Sequence, residues 1–254
     1  MILAIDIGNT NIVLGCVEGK KTYFIERLST DQGKTELEYA ISLKNVLELY
    51  QIPRDDLEGG IVSSVVPQLT DLVKRAAEKV IGKPVKTVGP GLKTGLNIQI
   101  DDPATVGSDL VVVAVAAMNE YPLPQIIIDM GTATTMSVVN QKGTFIGGAV
   151  LPGVRISLDA LASNCAMLNQ LQLKAPKKII GRNTNDCMRS GIINGNAACI
   201  DGMIERMEEE MGCECTVVAT GGLSSVVIPC CKKKIILDED LLLKGLQIIY
   251  EKNR

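Results

Sequence analysis

The chain contains one unit twice: an apolar strand ending in Asp, a Gly-containing turn, and a second apolar strand. The copies are IDIGNTNIVLG at residues 5–15 and IDMGTATTMSVV at residues 128–139. Their acids, Asp6 and Asp129, lie 129 − 6 = 123 residues apart, close to half of the 254-residue chain. Each copy is followed by another turn and a third strand, which contains TYFI in the first half and TFIG in the second. When the copies are aligned on their acids, these third strands are offset by one residue. This repetition predicts an internal duplication, with lobes 1–118 and 119–254 facing each other across a cleft.

Helical and strand patterns alternate along both halves. TELEYAISLKNVLELY at residues 35–50 places its apolar residues on one broad helical face. GGIVSSVVP at residues 59–67 is typical of a buried strand that ends at a proline. Strands that alternate with helices favour an α/β fold, here with mixed sheets flanked by helices.

Composition excludes several classes of partner. The net charge of −3 predicts no general attraction to nucleic acid or to anionic membranes, so local groups must hold any anionic ligand. No apolar run reaches the roughly 18 residues of a membrane helix, and the first apolar segment meets Asp6 too early for a signal peptide. The eight cysteines follow no zinc-site spacing. They are interpreted as reduced thiols of a cytoplasmic protein.

The chain has no histidine. This excludes Ser-His-Asp and Cys-His nucleophile systems, His-ligated metals and the commonest general base. If the protein is an enzyme, a carboxylate is then the expected proton acceptor. A carboxylate suffices where the nucleophile needs only orientation and late proton removal, as in phosphoryl transfer.

The turn after Asp6 can bind phosphate although it lacks the glycine loop and lysine of a P-loop. Gly8 allows close approach of the backbone, successive N–H groups form an anion-binding concavity, and Asn9, Thr10 and Asn11 add neutral donors. Asp6 would repel phosphate directly, so its expected role is to hold Mg²⁺, often through water. The alternative is an Asx-turn in which Asp6 only satisfies turn amides. The second copy favours the phosphate interpretation.

A strand that ends in two glycines, VVATGGLSS at residues 217–225, is the third candidate element. Gly221 and Gly222 would let a flat ligand such as adenine pack against the backbone. A plain strand-to-helix turn explains the two glycines almost as well.

Seven motifs in order resemble those of type III pantothenate kinases, over nearly the whole chain. They are DIGNTN (6–11), SSVVP (63–67), GSDL (107–110), DMGTATT (129–135), GGAVLPG (147–153), IGRNT (180–184) and TGGL (220–223). That family belongs to the superfamily of acetate and sugar kinases, heat-shock ATPases and actin. The resemblance implies duplicated ribonuclease H-like, actin-like ATPase domains, and ATP-dependent phosphorylation of pantothenate, the entry step of coenzyme A synthesis.

The resemblance also implies roles for particular residues. Asp109 matches the family's proton acceptor, and Asp129 matches the ligand of a monovalent cation, K⁺ or NH₄⁺. Thr132 matches a further phosphate contact. The expected ATP-phosphate contacts are Asp6, Ile7, Gly8, Asn9, Thr10, Asn11, Ile12 and Val13, and the expected substrate contacts are Ile100, Gly107, Ser108, Asp109, Leu110 and Thr184. The family works as a homodimer, with substrate and cation sites near the subunit interface. An alternative for Asp109 is a helix N-terminal acid stabilised by the helix dipole.

Two positions depart from the family pattern. Leu110 stands where the family usually has Arg, and Ile100 stands where it usually has Tyr. Leucine cannot make the directed hydrogen bonds of a guanidinium, and losing one charged contact costs about 1.5–3 kcal/mol, or one to two decades of affinity. Two alternatives therefore remain open: a related kinase acting on another small alcohol, and a non-catalytic nucleotide-binding regulator.

Overall fold

The computed structural model describes residues 1–165, 168 and 171–254, which form two compact units. The first unit comprises Met1–Leu96, Asp101–Asn119 and Asp240–Arg254, and the second comprises Asn97–Ile100 and Glu120–Glu239. The closing segment thus packs with the first unit rather than with the residues that precede it. The cleft expected from the duplication stays a prediction.

The described residues form twelve strands and seven α-helices. The strands are β1 (Ile2–Ile7), β2 (Asn11–Glu18), β3 (Lys21–Thr22), β4 (Glu26–Ser29), β5 (Gly59–Ser64), β6 (Val85–Thr87), β7 (Asn97–Ile98), β8 (Gln125–Met130), β9 (Ala133–Val139), β10 (Thr144–Pro152), β11 (Thr216–Thr220) and β12 (Ile236–Leu237). The helices are α1 (Glu36–Leu49), α2 (Pro67–Ile81), α3 (Ser108–Glu120), α4 (Val154–Asn164), α5 (Thr184–Met211), α6 (Ser224–Val227) and α7 (Leu241–Glu251).

The two sheets repeat one strand order. In the first unit it is β3-β2-β1-β5-β6, with β4 also paired to β2, and in the second it is β10-β9-β8-β11-β12, with β7 added beyond β10. In each sheet the strand bearing the acid pairs antiparallel with the next strand in sequence and parallel with a later one. This confirms the predicted α/β fold of duplicated domains with mixed sheets.

Helices cover both faces of the first sheet. Leu3, Ile5 and Ile7 of β1 belong to a core shared with buried residues of α1 and α2. On the opposite face α7 contacts β1, β2 and β5. Gly15 lies against Leu243 of this helix so closely that a Cβ would collide with its side chain. This apolar packing explains why the closing helix belongs to the first unit.

Local signals fix the helix ends. Thr35 and Glu38 form a reciprocal capping box at the start of α1. Pro67 begins α2, and Gly82 ends it in the left-handed conformation that glycine adopts without strain. Among the described helices, none is both long enough and apolar enough to span a bilayer.

Candidate functional site

Asp6 is a buried carboxylate near the carboxyl end of β1, with 8% of its surface exposed. It is paired in register with Ser63 of β5, whose fully buried hydroxyl donates a hydrogen bond to Asp6 Oδ1. Directly paired residues of neighbouring strands place their side chains on the same face of the sheet. Ser63 therefore restrains one oxygen of this carboxylate.

The turn after Asp6 is closed by its own backbone and anchored from a distance. The Gly8 N–H donates to the Asn11 carbonyl at 3.0 Å. Thr30 then fixes the turn twice, because its hydroxyl donates to the Gly8 carbonyl at 2.6 Å and its N–H donates to the Thr10 carbonyl at 3.0 Å. Three polar side chains remain exposed on it: Asn9, Thr10 and Asn11. The turn is thus rigid in its backbone and polar at its surface.

The other three predicted phosphate contacts of this segment, Ile7, Ile12 and Val13, differ in how deeply their side chains are buried. Ile7 and Ile12 are paired with each other in the β1–β2 ladder, and both side chains are fully buried. Any contact they make with a phosphate must therefore come from backbone atoms. Val13, opposite Asp6 in the same ladder, is half-buried.

Ser108 fastens the first turn of α3 to the end of β5. Its hydroxyl accepts the Ser64 N–H at 3.0 Å and donates to the Ser64 carbonyl at 3.0 Å. Because Ser64 directly follows the partner of Asp6, this clamp brings the start of α3 to the same edge of the sheet. Asp109, next in sequence, is held there with it.

Asp109 is half-buried, and burial raises the pKa of its carboxyl above the ordinary 3.8. The Leu110 N–H donates to Asp109 Oδ1 at 2.8 Å and lowers the pKa by a smaller amount. A Cβ on Gly107 would collide with the same oxygen. A carboxylate with a raised pKa is a stronger proton acceptor, and the backbone of Gly107 and Leu110 fixes its orientation.

If Asp109 is the proton acceptor that the family resemblance implies, its raised pKa predicts an acid limb in the pH profile of phosphoryl transfer. Only the deprotonated carboxylate accepts a proton, so kcat at saturating substrates should fall as pH decreases through a midpoint above 3.8. Asp101, an exposed acid on the connection before α3, gives a matched control, since Asp101→Asn should leave that midpoint in place. A limb centred at or below 3.8 would contradict the assignment.

Asp129 occupies the corresponding place in the second unit. It is paired with Thr135 of β9 and with Thr220 of β11, so these three side chains share one face of the sheet. The Thr135 hydroxyl oxygen is buried and has no hydrogen-bond partner among the described residues. A carboxylate beside an unpartnered buried hydroxyl suits a cation that prefers oxygen ligands.

Gly221 packs directly on the carboxyl end of β8. It has φ +97°, and a Cβ there would approach Asp129 Oδ1 and the Met130 amide nitrogen to 2.6 Å. Gly222 is exposed beside it. Both the backbone angle and the lack of space therefore require glycine at residue 221, which brings the ATGG turn against Asp129.

The other predicted residues lie in separate parts of the second unit. Thr132 is exposed, and its carbonyl lies where a Cβ on Gly153 would collide with it. Ile100 is half-buried near the β-bulge at Gly147. Thr184 is the exposed first residue of α5.

The acids of the candidate site suit a metal ion that is bound jointly by the protein and by the phosphates of a ligand. Among the described residues, no group of three His, Cys, Asp or Glu side chains could hold a metal ion by itself. Mg²⁺ is commonly bound by one or two carboxylates together with water and substrate phosphates. Asp6, adjacent to a turn with exposed amide and hydroxyl groups, fits that arrangement.

Comparison with known sequences decides the family. The family model for type III pantothenate kinase matches residues 2–206. A type III pantothenate kinase from Brevibacillus brevis is 42% identical over 254 residues, covering 100% of both chains. The chain belongs to the type III pantothenate kinase family. The resemblance drawn from the seven motifs is thereby confirmed.

Solved structures place this type III pantothenate kinase family member among actin-like ATPase folds. The activator of 2-hydroxyisocaproyl-CoA dehydratase from Clostridium difficile, with bound ADPNP, has a TM-score of 0.58 and 13% identity, and the match covers 99% of this chain and 94% of that one. MreB5 of Spiroplasma citri, bound to ADP, has a TM-score of 0.56 and 11% identity, with 99% and 96% covered. At such identities the likeness establishes the fold alone.

Sequence reasoning missed the residues that position the acids. Ser63 lay inside a recognised motif, but only strand pairing reveals its bond to Asp6. Thr30 carried no signal, since it reaches the turn through the pairing of β4 with β2. Thr135 could have been found from its position in the second copy of the repeat.

Proposed function

We propose that this protein transfers the γ-phosphoryl group of ATP to the hydroxyl of pantothenate, the first step of coenzyme A synthesis. The observation that carries the proposal is the pair of acids at one edge of the first sheet. Ser63 holds Asp6 there, and Ser108 clamps the helix turn that bears Asp109. One acid is suited to Mg²⁺ and the other to a proton, which is the division that phosphoryl transfer requires.

Each group then has one task. ATP supplies the γ-phosphoryl group, and the Mg²⁺ bound with it would neutralise the negative charge of the phosphates. The backbone of residues 6–13, with Thr132, binds phosphates, and Gly221 with Gly222 lies against adenosine. Asp109 accepts the hydroxyl proton of pantothenate as the new oxygen–phosphorus bond forms and the bond from the γ-phosphorus to the leaving ADP breaks. Asp129 takes no part in that proton transfer.

A monovalent cation, K⁺ or NH₄⁺, is proposed at Asp129. Support comes from the strand pairing: Asp129 is paired with Thr135 and with Thr220, so one carboxylate and two hydroxyls lie on the same face of the second sheet. The unpartnered Thr135 hydroxyl is the group that a cation would satisfy.

A cytoplasmic homodimer is proposed as the working form. All eight cysteines are free thiols, in keeping with a reducing compartment. In the second unit, four large aliphatic side chains are strongly exposed, which favours contact with another copy. They are Val150, Ile156, Ile179 and Ile180, at 74%, 45%, 72% and 79% exposure. Sedimentation as a monomer across the micromolar range would refute the dimer.

Release of ADP tests the activity. Purified protein given MgATP, KCl and pantothenate should produce ADP in proportion to pantothenate, and replacing KCl by NaCl should lower the rate. A parallel screen of other small alcohols addresses the alternative acceptor. The proposal would be refuted if the protein neither turned over pantothenate nor bound it. Nucleotide binding without turnover of any acceptor would favour the non-catalytic regulator.

Leu110→Arg tests whether pantothenate is the acceptor. Restoring a guanidinium beside Asp109 should lower the KM for pantothenate by about ten- to a hundredfold, the value of one charged hydrogen bond. The KM for ATP should stay constant, and Leu110→Met is the size-matched control without charge. An unchanged KM for pantothenate would favour a different acceptor.

A further inference from the structure

Tyr39, near the start of α1, is a tyrosine with 0% of its surface exposed. It belongs to the apolar core of the first unit, together with Leu43 and Leu47 of the same helix. A buried hydroxyl is costly unless it is hydrogen-bonded, and a phenylalanine would fill the same space without that requirement. The use of tyrosine in this core therefore points to the partners of its hydroxyl.

Both partners belong to Asp31, in the connection between β4 and α1. The Tyr39 hydroxyl donates to the Asp31 carbonyl at 2.9 Å and accepts the Asp31 N–H at 2.9 Å. The side chain of Asp31 is exposed and accepts the Gly33 N–H at 2.9 Å, while the Lys34 N–H reaches the Asp31 carbonyl at 3.3 Å. Those two local bonds close a turn, whereas the bonds to Tyr39 fasten that turn to the core.

Thr30, directly before Asp31, carries this restraint to the turn after Asp6, which is the phosphate turn of the proposed function. Its hydroxyl donates to the Gly8 carbonyl and its N–H donates to the Thr10 carbonyl. Two carbonyls of the phosphate turn are thus held by the residue next to the one that Tyr39 holds.

Thr30 needs such support because it lies past the end of a strand ladder. The pairing of β4 with β2 ends at Ser29, opposite Asn11. Residues at the end of a ladder open readily unless other contacts hold them. The carbonyl of Thr30 and the N–H of Asp31 belong to one planar peptide unit, so the bond from that N–H to Tyr39 orients Thr30 as well.

We propose that Tyr39 is a positioning residue for nucleotide binding: through Asp31 and Thr30, its hydroxyl holds the phosphate turn in the conformation that receives phosphate. The inference rests on the proposed function in one respect, that this turn binds the phosphates of a nucleotide. A turn that is already ordered does not have to be ordered on binding, so loss of the hydroxyl should weaken nucleotide affinity.

Calorimetric titration of the full chain with MgADP tests the proposal without an acceptor or turnover. Tyr39→Phe keeps the ring and removes the hydroxyl, and it should raise the Kd for MgADP by about three- to tenfold. Thr30→Val removes the second hydroxyl and should raise the Kd in the same range, whereas Thr30→Ser keeps that hydroxyl and should stay close to the parental Kd. The double variant Tyr39→Phe/Thr30→Val should bind no more weakly than the weaker single variant, because the two hydroxyls act in series.

Two control variants separate positioning from a loss of stability. Tyr23→Phe removes a hydroxyl of the same unit that donates to the exposed Glu18 at 2.8 Å, and it should keep the parental Kd. Leu43→Val removes buried volume from the same helix and leaves the Tyr39 hydroxyl in place. It should lower the melting temperature but not the affinity, since instability reduces the folded fraction and not the affinity of the folded protein.

The outcomes distinguish this proposal from the proposed function. Parental binding of MgADP with an unchanged Kd in Tyr39→Phe and Thr30→Val, or an equal rise in Leu43→Val, would overturn the role of Tyr39 and leave the proposed function standing. Losses that multiply in the double variant would show two independent effects and would also overturn it. A parental chain that did not bind MgADP would overturn both proposals.

Discussion

Asp109→Asn is expected to lower kcat for pantothenate phosphorylation by about two to four orders of magnitude, the usual contribution of a positioned general base. The amide is isosteric with the carboxyl and can still accept the Leu110 N–H, so the helix turn should remain in place. What it loses is the ability to accept a proton. Steady-state release of ADP, at saturating pantothenate and MgATP, measures the effect.

The turnover rate and the MgADP affinity of Asp109→Asn together distinguish a catalytic role of Asp109 from a structural one. Affinity for MgADP should stay the same in Asp109→Asn, because the predicted nucleotide contacts lie elsewhere. Asp101→Asn removes an exposed carboxylate from the same connection and should keep full activity. If Asp109→Asn turned over pantothenate at the parental rate, Asp109 would be only a helix N-terminal acid, the alternative allowed by the sequence.

Asp6→Asn is expected to lower kcat/KM by at least about a hundredfold, equivalent to nearly 3 kcal/mol of transition-state stabilisation. The neutral amide can keep the hydrogen bond from Ser63 but binds Mg²⁺ much more weakly. The Mg²⁺ concentration that gives half-maximal rate should therefore rise. Titrating the rate with Mg²⁺ at fixed ATP measures this shift.

Ser63→Ala provides an internal comparison. It leaves the Asp6 charge in place but frees the oxygen that Ser63 restrains, so the Mg²⁺ requirement should rise by a smaller factor. Asp71→Asn, an exposed acid on α2, should leave the Mg²⁺ requirement unchanged. A parental Mg²⁺ dependence in Asp6→Asn would exclude this residue as the metal-holding group.

Periodicity was informative wherever local signals and burial agreed. The alternation of strands and helices, the duplication and the caps of α1 and α2 are visible in the letters alone. The third strand of the repeat was harder, because in the first unit it is divided into β3 and β4, whereas in the second β10 is a single strand with a bulge between Phe145 and Gly147. A local break of this kind depends on pairing with β2 or β9, which periodicity does not encode.

The candidate site also has features that the sequence predicts and features that it does not. The sequence could nominate Asp6, Asp109 and Asp129 because an acid after an apolar strand, or at the start of a helix, is a local pattern. It could not show that Ser63 bonds to Asp6 or that Ser108 clamps Ser64, since these contacts join residues 57 and 44 positions apart. Nor could it show that burial raises the pKa of Asp109, because desolvation depends on everything packed around the group.

The sequence by itself thus determined the duplicated α/β architecture, the family and the identity of the acids, because each follows from local pattern or ordered motifs. Only the tertiary structure decided that α7 returns to the first sheet and that Gly221 lies against Asp129. The reason is physical: strand register, burial and hydrogen-bond satisfaction are properties of residues distant in sequence, and they exist only once the chain has packed.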